Sequence, residues 1–187
     1  MNKTLKLLML SDIFVFSGFG LISPILAIFI KDDLIGGTIL SAGIASAIFL
    51  IVHSILQIIF AKKFNPKDRL WMVLLGTALI AIVPFGYIFS SHIYHIYLVQ
   101  FIYGIGAGFA YPSWYSLFSS HLEKGKRGLQ WSVYNSAVGI CSAITATAGA
   151  LLAEITSFEL VFAITGIFAI IGLLVLFGLE KKALKKV

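Results

Sequence analysis

Charge is scarce in this sequence, and thiols are scarcer still. Of 187 residues only 12% are Asp, Glu, Lys or Arg, and just eight are acidic. So few charges cannot clothe a globular domain of this length in a solvated surface. The hydrophobic share is 59% and the mean hydropathy is +1.00, far above a soluble domain. The one cysteine, Cys141, lies inside an apolar run, which excludes a disulfide framework and a thiolate metal site and leaves a small packing residue. Enzyme signatures are missing as well. There is no phosphate-binding lysine loop, no zinc-ligand helix and no Ser/His/Asp set on one side of a membrane. Gly104-Ile105-Gly106-Ala107-Gly108 is superficially like a glycine-rich dinucleotide loop, but it sits within an apolar run with no strand before it. No enzyme and no cofactor are expected.

What the chain does contain is long apolar runs, at about 5–30, 40–61, 70–90, 93–119, 128–153 and 158–179. Each is long enough to span a hydrocarbon core, which takes roughly 20 helical residues. All six are expected to be helices, because strand edges or irregular backbone facing lipid would leave amides unpaired. The first run follows Lys3 and Lys6, is too long for a signal-peptide core and lacks a small-residue cleavage site, so it reads as a first span. The expected fold is an all-α, polytopic bundle in a lipid bilayer, a single domain over 1–187.

Net charge is +6, yet the basic residues occupy short connections and a tail at 180–187, not the face of a nucleic-acid module. No nucleic acid is expected as a partner. Topology explains the charges instead. Thirteen of the fourteen Lys and Arg fall at the N-terminus, in 62–69, in 121–127 or in the tail, and only Lys31 falls on the other side. By the positive-inside rule both termini are cytoplasmic, in a cell inner membrane.

An internal repeat is also visible. Gly18-x-Gly20-x-x-x-Pro24 recurs 88 positions on as Gly106-x-Gly108-x-x-x-Pro112, and the same shift carries the starts of the second and third runs to those of the fifth and sixth. Repeat 1 spans about 5–90 and repeat 2 about 93–179. Three spans per repeat bring the two copies in from opposite faces, a 3+3 inverted repeat of the kind secondary transporters use. The glycines, Gly104 included, predict close helix packing and the prolines predict kinks. Interrupted helices at matching positions point either to a transport cavity or to packing common in membrane helices.

The polar residues within spans are few. Asp12, about ten ångströms into the first span, is a proton or substrate-cation candidate unless it reaches water or pairs with a basic loop. The repeat shift sends it to Gln100 at the symmetric depth. His53 and Gln57, four residues apart, share a face of the second span, where they either exchange protons or hydrogen-bond a neighbouring helix. Tyr111, Trp114, Tyr115 and Phe118 form a stripe opposite Trp131, Tyr134 and Asn135. Trp114 and Trp131 read as headgroup-belt residues, and Asn135, with Tyr111, as a cavity candidate. His92, His95 and His121 fall at opposite ends with no convergent ligand spacing, so no metal site is expected.

Taken with the spans, Ser11-Asp12 through Gly18, Gly20 and Pro24, Tyr103 through Gly108 with Tyr111-Pro112, and Arg127-Gly128 opening a small-residue fifth span give a chain that resembles the N-terminal half of a major facilitator superfamily transporter. The resemblance implies a conformational latch in the second connection. There Ala61 and Asn65 stand at the glycine and aspartate positions, with charge kept at Lys62, Lys63, Asp68 and Arg69. Gln100 replaces the family's fourth-span arginine, and the Gly-Pro pair of drug/proton antiporters is absent from 143–153. The implied function is a half-sized secondary transporter moving a small solute by alternating access, as a parallel homodimer or with a separate six-helix half; drug/proton antiport is not implied, and Asp12 stays a proton or substrate-cation candidate on its own chemistry. The alternatives are a non-transporting scaffold or accessory subunit, or a fragment of a twelve-helix transporter.

Overall fold

The structure is a computed structural model that describes residues 3–63 and 69–179. Asn65, Asp68 and the tail at 180–187 lie outside the described residues, as does the Arg69 side chain. Seven helices are present among the described residues: α1 (Lys3–Ile22), α2 (Leu26–Asp33), α3 (Ile39–Lys63), α4 (Arg69–Ile88), α5 (Ile93–Ser120), α6 (Arg127–Ile155) and α7 (Phe158–Phe177). Six of them, all but α2, are long and apolar enough to cross a membrane. We call the end carrying Lys3, Lys62, Lys63, Lys126 and Arg127 the basic end, and the end carrying Gly36 and His92 the far end.

The first apolar run is not one helix. It breaks after Ile22 and restarts at Leu26. Pro24 has no amide to offer the Gly20 carbonyl one turn back, so the ladder of hydrogen bonds stops there. Pro112, at the matching position of the second repeat, does not break its helix: α5 runs through it from Ile93 to Ser120. Packing along most of its length, on α3 and on α4, holds α5 together where one backbone bond is missing.

The helices exchange partners between repeats. α1 packs chiefly on α6 and α7, α5 packs chiefly on α3 and α4, and α4 meets α7 between them. The two copies of the Gly-x-Gly motif make this close. A methyl group added to Gly18 would lie 3.0 Å from the Thr165 carbonyl oxygen of α7, and one added to Gly106 would lie 3.0 Å from the Gly76 carbonyl oxygen of α4. Two residues on, and so on the opposite side of the helix, Gly20 faces Ser142 and Thr145 of α6, while Gly108 faces Leu56 and Gln57 of α3. Each first glycine meets the third helix of the other repeat, and each second glycine the second. In membranes such small residues let backbones approach until dispersion forces hold them. Short polar bonds add to the contact: Ser11 Oγ donates to the Gly172 carbonyl at 2.7 Å and Thr165 Oγ1 to the Gly18 carbonyl at 2.9 Å.

Symmetry extends to burial. In their most apolar stretches α3 and α6 are each 6% buried, against 39% to 56% for the other four spans. These two helices form the flanks. At the far end the connections are pinned together, since Ile35 N donates to Ser91 O and Ile93 N to Ile35 O, both at 3.1 Å.

Near that end the Asp33 carboxyl titrates above the usual carboxylate range, first because it is partly desolvated and then because Glu159 and Asp32 repel its charge. A raised acid pKa means that the folded state prefers the protonated form, so stability falls as pH rises through that pKa. Asp33→Asn should therefore raise the melting temperature near neutral pH by no more than about 2 °C, given its exposure, with the difference vanishing in acid. Thermal unfolding of both proteins across pH checks this.

Candidate functional site

Three helices contribute stripes at helical spacing to one face of the bundle. α1 carries Asp12, Phe16 and Phe19, with Ser23 in the turn just after it; α3 carries Ser46, Phe49, His53 and Gln57; α5 carries Gln100, Tyr103 and Tyr111. Residues three, four or seven apart line one side of a helix, which explains why these fall together. Their rings form a continuous run. Phe19 stacks on Tyr103 at 4.8 Å between centroids, Tyr103 on Phe49 at 4.2 Å and Phe49 on His53 at 5.7 Å. His53 meets Tyr111 edge-on at 5.0 Å, and Tyr111 stacks on Phe16 at 6.3 Å.

Asp12 sits toward the basic end of this run. It is half-buried, and its carboxylate accepts a short hydrogen bond from the Tyr134 hydroxyl of α6. Among the described residues no cation forms an ion pair with it. It thus pairs neither with a basic loop nor with Gln100. Below it lies an aromatic core in which Trp114 stacks on Phe118 at 4.7 Å and meets Tyr134 at a tilt at 4.8 Å, with Leu8 and Leu176 in the same cluster.

Trp114 corrects an expectation. It is only 4% exposed, and its indole N–H donates to the Leu8 carbonyl at 3.4 Å, so it is a core residue rather than one of a headgroup belt. The i, i+4 stripe on α5 points at α1 and α6 here, and the indole satisfies its donor internally. Trp131 is half-buried against Phe118. Asn135 is exposed, whereas Tyr134 beside it turns inward. One residue on a helix rotates the side chain by about 100 degrees, so the inward role passes to its neighbour.

In the middle of the run neither ring nitrogen of His53 has a partner, although both are shielded. Beyond it, toward the far end, an open cleft of about 450 Å³ lies among α1, α2, α3 and α5 and reaches Ser142 of α6. Gln100 lines it, is 4% exposed, and leaves its Oε1 without a partner. Asp12 and Gln100, related by the repeat, therefore occupy opposite halves of one path. Gln57 extends the α3 stripe toward the basic end, beside Gly108. Among the described residues no three His, Cys, Asp or Glu side chains gather as a metal site.

Two parts of this arrangement were missed by sequence reasoning. Phe19 and Phe49 were not among the candidate residues, and Tyr103 entered only with the fourth-span glycines. Tyr134 was placed only in an aromatic group, although a depth count would have paired it with Asp12: at about 1.5 Å per residue, both lie roughly 10 to 14 Å from the starts of their helices at the basic end.

Comparison with known proteins bears on what the path is for. Residues 8–187 match the family model described as Major Facilitator Superfamily. Two proteins named proton-coupled antiporter flippase LtaA, from two strains of Staphylococcus epidermidis, are each 27% identical over 94 residues. That alignment covers 50% of this chain and 24% of each relative, so the chain matches about a quarter of their length.

Proposed function

We propose that this chain, which belongs to the major facilitator superfamily, moves a small solute across the membrane by alternating access coupled to protons. It is a multi-pass membrane protein of a transporter family rather than an enzyme. In this reading it resides in the cell inner membrane with both termini cytoplasmic, as the one-sided distribution of Lys and Arg favours. The basic end then faces the cytoplasm and the cleft faces outward.

One observation carries the proposal: a carboxylate inside a span, bonded to a tyrosine and to no cation, at one end of a lined path that opens as a cleft at the other. A charge held within the bilayer is costly, and such groups usually serve ion or proton movement. Asp12 accepts or releases the proton, Tyr134 holds its carboxylate, and His53, Tyr111 and Gln57 supply polar groups between it and Gln100. The relatives' printed activity, proton-coupled antiport, supports the same chemistry.

A single wall does not enclose a path. The flanking helices α3 and α6 border the path face and expose Leu50, Ile51, Ile140 and Ile144 among others, surfaces suited to a second six-helix unit. We assign that unit to a parallel second copy or a separate half, because the charge bias gives every copy the same orientation. Mass measurement in lipid discs should then find at least two of the 20.4 kDa chains or one chain with its partner half. A lone chain that is nonetheless active would overturn the assembly.

The transport reading is tested in liposomes holding a pH-sensitive dye. Adding candidate solutes on one side of an imposed pH gradient should move protons in a solute-dependent and protonophore-sensitive way. Proteoliposomes that pass neither protons nor any solute, from a folded protein, would remove the proposal.

A further inference from the structure

We propose that the far-end cleft binds an uncharged amphiphile, with an alkyl or aryl body against its aromatic walls and a hydroxyl or amide head bonded to Gln100. This deepens the transport reading and rests on it only for the occupant's role as cargo. The walls are Phe16, Phe19, Leu26, Phe49, Leu50 and Tyr103, and the space is about 450 Å³, within the range of small-molecule sites. Such walls suit an apolar body whose rings can stack.

The head is specified by Gln100. Its side chain is 4% exposed and its Oε1 has no partner, a state a buried polar atom seldom keeps unless something else completes it. Pro24, which borders the cleft through its neighbour Ser23, also leaves the Gly20 carbonyl on the cleft wall without its usual helical donor. Both groups call for a donor from the occupant. A hydroxyl donates and accepts, so it satisfies the Gln100 amide whichever way its oxygen and nitrogen are assigned.

Charge is excluded by the lining. Among the described residues around the cleft there is no Asp, Glu, Lys, Arg or His. A cation or anion entering would lose its hydration with no opposite charge to replace it. His53 and Asp12, the His and acidic side chains of the path, lie toward the basic end, outside the lining.

Photolabelling of the protein in lipid discs tests this, with a diazirine-bearing alkylphenol as probe and adducts located by peptide mass spectrometry. Adducts should fall on the segments 16–26 and 46–50. In competition, 4-hexylphenol should displace the probe at about a tenth of the concentration needed for its methyl ether, counted in the lipid phase, because the ether cannot donate. Hexylammonium should compete worse than either. Gln100→Leu should abolish the difference between phenol and ether, and Leu50→Trp, from an exposed position that narrows the cleft, should reduce labelling by both. The inference is overturned by equal competition of phenol and ether in the unaltered protein, by a preference that survives Gln100→Leu, or by a cation that competes best. Labelling is read without a pH gradient. A protein that binds the phenol but shows no flux loses the transport reading and keeps the site, whereas flux without cleft labelling loses the site alone.

Discussion

Gly76→Leu should leave no properly folded protein. Gly76 lies on α4 where that helix touches α5, and even a methyl group there would stand 2.5 Å from the Gly106 carbonyl oxygen and 2.5 Å from the Ala110 nitrogen. Both are backbone atoms within a helix and cannot turn aside as a side chain would. Relief requires α4 and α5 to part along their length, which forfeits the dispersion contacts that hold membrane helices together. Overpacking a core typically costs about 1 to 3 kcal/mol when neighbours can yield, and here they cannot, so a loss of at least about 3 kcal/mol is expected. Size-exclusion profiles and thermal unfolding in detergent should show aggregation or a collapse of the melting transition. Gly139→Ala is the control: nothing lies within 4 Å of a methyl group there, and the melting point should hold or rise slightly, since alanine favours the helix by about 0.5 to 1 kcal/mol. A tolerated leucine at Gly76 would mean that the α4–α5 contact is not as close as described.

The second large effect concerns Asp12. Asp12→Asn keeps the size and the Tyr134 contact but removes the titratable proton. Proton-driven solute movement in liposomes should fall at least tenfold, a loss of about 1.4 kcal/mol or more in coupling, while downhill exchange without a gradient continues. Tyr134→Phe should act differently. It withdraws the single hydrogen bond donated to the carboxylate and leaves the proton site in place. A hydrogen bond to a charged group contributes roughly 1.5 to 3 kcal/mol, so the expected result is a displaced pH profile for flux with the maximum rate partly retained. Unchanged coupling in Asp12→Asn would remove Asp12 from the mechanism. Identical behaviour of the two variants would reduce the pair to a structural link.

Much of the bundle was legible in the amino acids because lipid imposes simple rules. A run such as 158–179 has nowhere to go but across, and the shift that carries Gly18 to Gly106 also carries the start of α3 at Ile39 to that of α6 at Arg127. The break at Pro24 was legible as a kink, though not as a full interruption, while the helix expected over 93–119 does run through Pro112. Two equal motifs gave unequal outcomes because neighbours, absent from a local reading, decide whether a missing backbone bond is tolerated. The same reason explains Trp114. A stripe of aromatics near a basic end is compatible with lipid headgroups or with a core, and only the position of Leu8 on α1 separates the two. Asp12 was visible as the lone carboxylate deep in a span. Its partner lies 122 residues away, where no periodicity connects the two and only a comparison of their depths in the two helices brings them to one level.

The exchange of helices between repeats also dictates an order of biogenesis. Of these seven helices α1 is made before the others, yet its main partners, α6 and α7, follow all the rest. Until they arrive, Ser11 has no Gly172 carbonyl to donate to and Asp12 no Tyr134, so the polar turn of α1 lacks its folded-state partners. The middle of the chain has no such delay, since α3, α4 and α5 follow one another in synthesis and can associate at once. Association of α3, α4 and α5 is therefore expected to precede the docking of α1 on α6 and α7.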